Sequence, residues 1–267
     1  MNLFSIIRTT PIGIGNSVRY LKKQIGQAEV VTGQELRPKL LAAIDQFIED
    51  KIVAAFEYIA KSTADTIIDG DVVLTYGWSP VICEALISAD KEGKKFKVIV
   101  IDSAPNFYGR KLVEKIGHLD VRYVLISGLS YVMPEAKKVL IEPCGILSNN
   151  AAQTPVGTAM ISMVAHECGV PVIFACAAYR FVTDVRIDAL SKNDIIGRDL
   201  LSPIPRDDIQ MDPQYLALMY DVTPGQYVNV VISELGNIPV NSISTNMRYI
   251  QESYLIYSKP RVPPQSS

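Results

Sequence analysis

The sequence predicts an α/β protein: a helical N-terminal part, then a mostly parallel sheet covered by helices on both faces. Two observations point there. From about residue 70, short apolar runs alternate with helical stretches, the signature of βαβ units. Before residue 70, apolar residues instead recur every three to four positions. The stretch DVVLTYGWSP, residues 71–80, joins the two kinds of element. Val72-Val73-Leu74-Thr75, bounded by Asp69-Gly70 and Gly77, reads as a buried strand. Ser79 is a favoured N-cap, and Pro80 suits the first helical position, where a missing N–H costs nothing. A strand end therefore faces a helix N-terminus. In α/β folds ligands sit at such places, because free N–H groups and a positive dipole end meet there.

In chain order, Val18, Leu21 and Ile25 predict a helix over residues 16–25, with Asn16 as its cap and Gly26 as its stop. Gly13 and Gly15 resemble a phosphate loop, but no strand–loop–helix unit surrounds them, so they read as a backbone turn. Over residues 34–66, Leu40, Leu41, Ile44, Phe47, Ile48, Ile52, Phe56 and Ile59 form one helical apolar face, expected to lie on another apolar surface. Strands are predicted near 72–76, 96–101, 121–126, 138–142 and 171–176, with helices near 80–91, 107–117 and 156–168. Gly169 ends the last of these helices. Residues 191–214, rich in Asp, Pro and Ser, read as a surface loop or insertion. Residues 227–234 form a strand, Leu235-Gly236-Asn237 a turn, and the final SKPRVPPQSS a frayed tail. The division expected is a helical region over 1–68 and a sheet domain over 69–267.

Composition excludes several classes of function. Over 267 residues, 48% are hydrophobic and 20% charged, which argues against disorder. A net charge of −2 offers no basic excess for nucleic acid. No apolar run approaches the roughly 20 residues that span a bilayer, and the N-terminus lacks a signal-peptide pattern. Cys83, Cys144, Cys168 and Cys176 have neither metal-like nor CxxC spacing and read as reduced cytosolic thiols. The two histidines, His118 and His166, suggest neither a zinc site nor a triad. No metal and no cofactor are expected.

Several stretches carry a resemblance: GDVVLTYGWSP, FKVIVIDSAPNFYGRKL, the run from Asn149 to Val156-Gly157-Thr158, PVIFACAAYRF and YDVTPGQYVNVVISELGNIP. Together they resemble the regulatory subunits of translation initiation factor 2B, the guanine-nucleotide exchange factor for initiation factor 2. The likeness spans about residues 10–250. YDVTP, SELGNIP and the segment from Gly15 to Lys22 look most like the delta type. Delta chains usually carry a long polar N-terminal extension and more N-terminal helices, so this sequence reads as a fragment or a reduced version. The resemblance implies a Rossmann-like sheet domain and a non-catalytic, cytosolic regulatory subunit. Such a chain would pair with a beta-type subunit and join alpha, gamma and epsilon subunits. It would help bind the alpha subunit of initiation factor 2 and sense its phosphorylation, with no direct contact to nucleic acid or membrane. Nucleotide exchange itself belongs to gamma and epsilon.

The same superfamily contains sugar-phosphate isomerases acting on ribose-1,5-bisphosphate or methylthioribose-1-phosphate. Their chemistry is understood to need a cysteine after the first strand and an aspartate after a later one, as an acid/base pair. Those positions align here to Gly77, which has no side chain, and to Cys144. A phosphate-holding Arg-Pro element aligns to Ala104-Pro105, and an Asn-Lys pair to Thr154-Pro155. The resemblance therefore implies a vestigial pocket of Gly77, Trp78, Asp102, Ala104, Cys144, Asn149, Gly157 and Thr158. Asp102 also suits a strand-end cap, and Asn149 a turn. Trp78 is either a pocket filler or an interface anchor. The candidate subunit interface comprises Tyr179, Arg180, Phe181, Asp221, Thr223, Pro224, Glu234 and Leu235. Three rivals stay open: an active sugar-phosphate isomerase, a ligand-sensing module of the same fold, and assignment to the alpha or beta type of subunit instead of delta.

Overall fold

Residues 11–27, 33–190, 192–196 and 216–256 are described by the computed structural model. The alternation after residue 70 becomes a seven-stranded sheet. Its strands are β1 (Val72–Tyr76), β2 (Lys97–Asp102), β3 (Asp120–Leu125), β4 (Lys138–Ile141), β7 (Val172–Ala175), β10 (Val230–Ser233) and β11 (Gly236–Pro239). Their order is β11-β10-β7-β4-β1-β2-β3, and only β11 runs antiparallel to its neighbour. The inner strands are near-continuous apolar runs because both faces are covered. Val73 and Leu74 on β1 are fully buried, to opposite sides.

On one face, helices Ala54–Asp65 (α3), Pro80–Lys91 (α4) and Gly109–Ile116 (α5) bury Ile59, Ile82, Leu86 and Leu112 against Val98 and Val100. On the other, the short α6 (Leu129–Val132), α7 (Thr158–Glu167) and α8 (Ile243–Ile256) bury Leu129, Val132, Ile161 and Ile243 against Ile99, Val139 and Phe174. Ser79 caps α4 as expected: its Oγ accepts from the Ile82 N–H at 3.1 Å, with Pro80 in the first turn.

A second, four-stranded sheet was not anticipated. It comprises β5 (Gly145–Leu147), β6 (Ala152–Pro155), β8 (Phe181–Val182) and β9 (Tyr220–Thr223), in the order β8-β5-β6-β9. The β5–β6 hairpin turns through Asn150, whose φ is +65°. Strands of two to four residues are too short to show a period of two, which is why the sequence hid them.

Three expectations are corrected. Among the described residues the first helix, α1, spans Ile12–Gln27 and absorbs the Gly13–Gly15 stretch, so that stretch is not a turn, Asn16 is not a cap and Gly26 lies inside the helix. Gly13 is bare because the Tyr179 ring approaches it; a Cβ there would lie 2.8 Å from the ring. Buried Asn16 donates from Nδ2 to the carbonyl oxygens of Tyr179 and Phe181 at 2.8 and 2.9 Å.

Second, residues 34–66 do not present one apolar face. Helix α2 (Gly33–Phe47) passes into a π-helical segment, Ile48–Val53, before α3. The wider π turn shifts the phase of the side chains. Phe47 and Ile59 are buried, whereas Leu41 and Ile48 are 52% and 43% exposed.

Third, β10 begins at Val230, because a 3₁₀ turn occupies Gly225–Tyr227, and the tight turn falls on Glu234-Leu235. Gly236, at φ +112°, already pairs with Ser233. The anticipated 191–214 loop, apart from residues 192–196, and the C-terminal tail lie outside the described residues.

Replacing Asn16 by Ala removes the donor to two carbonyls and leaves them short of partners in a buried seam. Stability is expected to fall by about 2 kcal/mol. Thermal unfolding, with hydrogen exchange read over residues 12–27, checks this; unchanged exchange there would show that the amide does not hold α1.

Candidate functional site

The site lies at the C-terminal ends of β1, β2 and β4, under the N-terminus of α7. Gly77 follows β1 with φ +63°, a conformation that favours glycine, and its N–H donates to the Ile101 carbonyl at 2.9 Å. A Cβ there would meet nothing within 4 Å, so the position is open but chemically empty. Trp78 is half-buried on the α3–α5 face, and the Lys111 ammonium sits 4.2 Å from its ring centroid. Asp102 is buried and committed: Oδ1 accepts the Ser103 N–H and Oδ2 the Tyr123 hydroxyl, each at 2.9 Å. Ala104 is exposed. Asn149 is turned away from the site and donates to the Arg186 carbonyl at 2.9 Å. Thr158 is buried, its hydroxyl donating to the Pro155 carbonyl at 2.7 Å.

Between β1, β2 and α7 the chain's own groups meet at Tyr76. The Tyr76 hydroxyl donates to the Val156 carbonyl at 2.6 Å and lies 2.6 Å from the Ser103 Oγ. Gly157, at φ +102°, packs against that ring so closely that a Cβ would stand 2.9 Å from the Tyr76 oxygen. The amides at the start of α7 form an anion site by geometry and dipole. Asp221 on β9 fills it: Oδ2 accepts the Gly157 and Ala159 N–H groups at 2.8 and 3.0 Å. Oδ1 accepts the Thr154 hydroxyl, which also lies 2.8 Å from Thr223 Oγ1. Burial raises the Asp221 carboxyl pKa, and those hydrogen bonds work against the rise. Thr154 and Asp221 thus share one role that the sequence reading had divided between an emptied pocket and an interface.

Cys144 follows β4 beside a cavity of about 390 Å³ lined by Ile12, Ser17, Gln153, Tyr179, Arg180 and Tyr220, among others. No cationic residue stands next to this thiol in the local sequence IEPCG; the fold supplies Arg180 from the loop after β7. Its effect is blunted, because Arg180 Nη1 donates to Glu142 Oε1 at 2.6 Å and to the Pro143 carbonyl at 3.3 Å. The Ser79 hydroxyl takes the other oxygen of Glu142 at 2.7 Å. Burial pushes the Cys144 thiol up from 9.0 to about 12; Arg180 pulls it down, while Glu142 and Asp221 add to the rise. Cys144 is therefore a neutral thiol at physiological pH. Cys176, fully buried nearby, is shifted upward for the same first reason. All four cysteines are free, and among the described residues no cluster of His, Cys, Asp and Glu is placed to hold a metal ion.

The candidate interface residues divide by accessibility. Pro224 is exposed; Tyr179, Arg180, Asp221 and Leu235 are half-buried. Phe181, Thr223 and Glu234 are buried within this chain. Glu234 accepts the Ala178 N–H at 3.1 and 3.0 Å and the Ser233 hydroxyl at 2.9 Å, so it pins the Ala178–Phe181 loop to the β10–β11 turn.

Since Glu142 raises the Cys144 pKa and Arg180 lowers it, Glu142→Gln is expected to leave Arg180 uncompensated and make the thiol more acidic. Iodoacetamide labelling of Cys144 followed between pH 7 and 11 checks this. The labelling curve should move to lower pH in the variant, and an unmoved curve would remove Arg180 from the thiol's environment.

The comparisons agree with this architecture. A "Translation initiation factor eIF2B subunit delta" of Schizosaccharomyces pombe is 36% identical over 267 residues, covering 93% of this chain and 57% of that protein. The chain thus spans little more than half the length of that curated relative. A "Ribose 1,5-bisphosphate isomerase" of Thermococcus kodakarensis is 29% identical over 239 residues, covering 87% of this chain and 73% of that protein. Among solved structures, a chain of the tetrameric eIF2B-beta2-delta2 complex from C. thermophilum matches with a TM-score of 0.75 at 30% identity. The match covers 85% of this chain and 70% of that one. The model of the initiation factor 2 subunit family matches residues 3–240, and the chain belongs to that family.

Proposed function

We propose that the chain is a non-catalytic regulatory subunit of delta type in an initiation factor 2B exchange-factor complex. It works through its surfaces: it pairs with a beta-type subunit, joins alpha, gamma and epsilon subunits, and helps bind the alpha subunit of initiation factor 2 and sense its phosphorylation. In this reading the helical region 1–68 and the sheet domain 69–267 act as two units in the cytosol. Among the described residues no helix is long and apolar enough to cross a membrane. Of the candidate interface residues, Tyr179, Arg180, Pro224 and Leu235 keep surface available to a partner.

The observation that carries the proposal is the state of the site. An aldose–ketose isomerisation needs a group that takes a proton and one that returns it, each titrating near working pH. Here the first position is Gly77, and the second is a thiol held near 12. The anion site at α7 already holds Asp221. An assembly subunit needs none of these groups. Its influence is a coupling free energy: a partner that prefers one arrangement of subunits biases the whole toward it.

The isomerase relative makes catalysis the reading to defeat. Purified chain is expected to give no turnover of ribose-1,5-bisphosphate or methylthioribose-1-phosphate above the Cys144→Ser variant. Turnover lost in that variant would establish an enzyme instead. Co-expressed with a beta-type subunit, the chain is expected to co-purify as a heterodimer; a stable lone monomer beside free beta subunit would contradict the assembly role.

A further inference from the structure

Strand β3 is an edge of the seven-stranded sheet, paired along its inner side with β2 from Asp120 to Leu125. Among the described residues, none donates or accepts a backbone hydrogen bond on its outer side. Proteins blunt such edges with proline, bulges or unpaired charge. The opposite edge strand, β11, is short and ends in Pro239. β3 has no proline and no glycine, and its two charges are neutralised locally. Lys97 lies 3.4 Å from Asp120, and Arg122 meets both Glu135 oxygens at 2.9 and 3.0 Å. What is left bare is apolar and aromatic: Leu125 and Tyr123 on the strand, Tyr108 before α5, and Tyr131 on α6, the last 82% exposed. Tyrosine and arginine are the residues that anchor interfaces.

Both signs of charge stand near this edge: Asp120, Arg122 and Glu135 are paired, Glu114 lies on α5, and Arg110 is the cation left without an ion pair among the described residues. Arg110, at the start of α5, stacks its guanidinium 4.6 Å from the Phe107 ring centroid. Lys111 stacks on Trp78, toward β1 and α4 and away from this edge. Arg110 makes no ion pair among the described residues. Stacking on a ring holds a cation in place, which lowers the ordering cost of meeting an anion. Phe107, which carries Arg110, sits at φ +48°, a strained setting for a bulky residue.

We propose that the outer edge of β3 accepts, as an added strand, an extended acidic segment of a partner polypeptide. Backbone hydrogen bonds would run along residues 120–125, apolar side chains would cover Tyr123 and Leu125, and a carboxylate would meet Arg110. A second copy of this chain fits less well. Its own β3, DVRYVL, carries one Asp and one Arg and brings no net negative charge. The inference stands apart from the assembly role above, since it uses none of the residues named for the candidate subunit interface.

The test is hydrogen exchange of the full chain with an acetylated, amidated peptide of alternating glutamate and valine. The control peptide has lysine in place of glutamate. Expected are slowed exchange over residues 120–125 with the glutamate peptide alone, and about tenfold weaker binding to Arg110→Glu. Leu125→Asp should also weaken binding, with an unchanged melting temperature showing that it still folds. Absence of protection at saturating peptide, or equal protection by both peptides, overturns the proposal. So does concentration-dependent protection without peptide together with a dimer mass by light scattering, which would make a second copy the occupant.

Discussion

One carboxylate, Asp221, satisfies two amides at the start of α7 and, through Thr154, ties β9 to β6. Burial penalises its charge, and the hydrogen bonds from Thr154, Gly157 and Ala159 oppose that penalty. The same geometry that would cradle an anionic ligand is thereby spent on holding the second sheet to the first. Gly157 and Tyr76 complete the closure. The glycine is needed because the tyrosine oxygen lies where a Cβ would stand, and the tyrosine bonds to the Val156 carbonyl beside it.

From this closed site a chain of contacts reaches the N-terminal helices. Ser79, at the head of α4, donates to Glu142, and Glu142 pairs with Arg180. The loop that bears Arg180 is gripped on one side by Asn16 of α1 and on another by Glu234 at the β10–β11 turn. Gly145 adds close packing: a Cβ there would lie 2.5 Å from Ile12 and 2.9 Å from the Arg180 carbonyl. Groups placed where a catalytic site would work therefore serve as joints between elements. Through the loop that bears Arg180, the Glu142–Arg180 pair is joined to both α1 and the β10–β11 turn.

Much of the sheet domain was legible in the sequence, because long buried strands and capped helices announce themselves. β1, β2, β3, β4 and β7 fall within a few residues of the predicted runs, and Ser79-Pro80 caps α4 as its chemistry requires. Less legible was whatever depends on contacts far apart in the chain. Asn16 looked like a cap because a buried amide bonding to residues 179 and 181 has no local signature. The π segment broke an apolar stripe that reads as continuous on a helical wheel. Arg180 as the neighbour of Cys144, and Asp221 as the occupant of the α7 terminus, needed the fold. The family resemblance supplied the list of positions; the geometry supplied what each side chain does there.

The central claim is that the chain's own groups fill the site a phosphate-bearing substrate would need. Its most direct test is a titration of the isotopically labelled chain with inorganic phosphate, following the amide resonances of Gly157 and Ala159. The account predicts that both stay fixed at millimolar phosphate, and that they shift saturably only after Asp221→Ala. A saturable shift in the unsubstituted chain would contradict it.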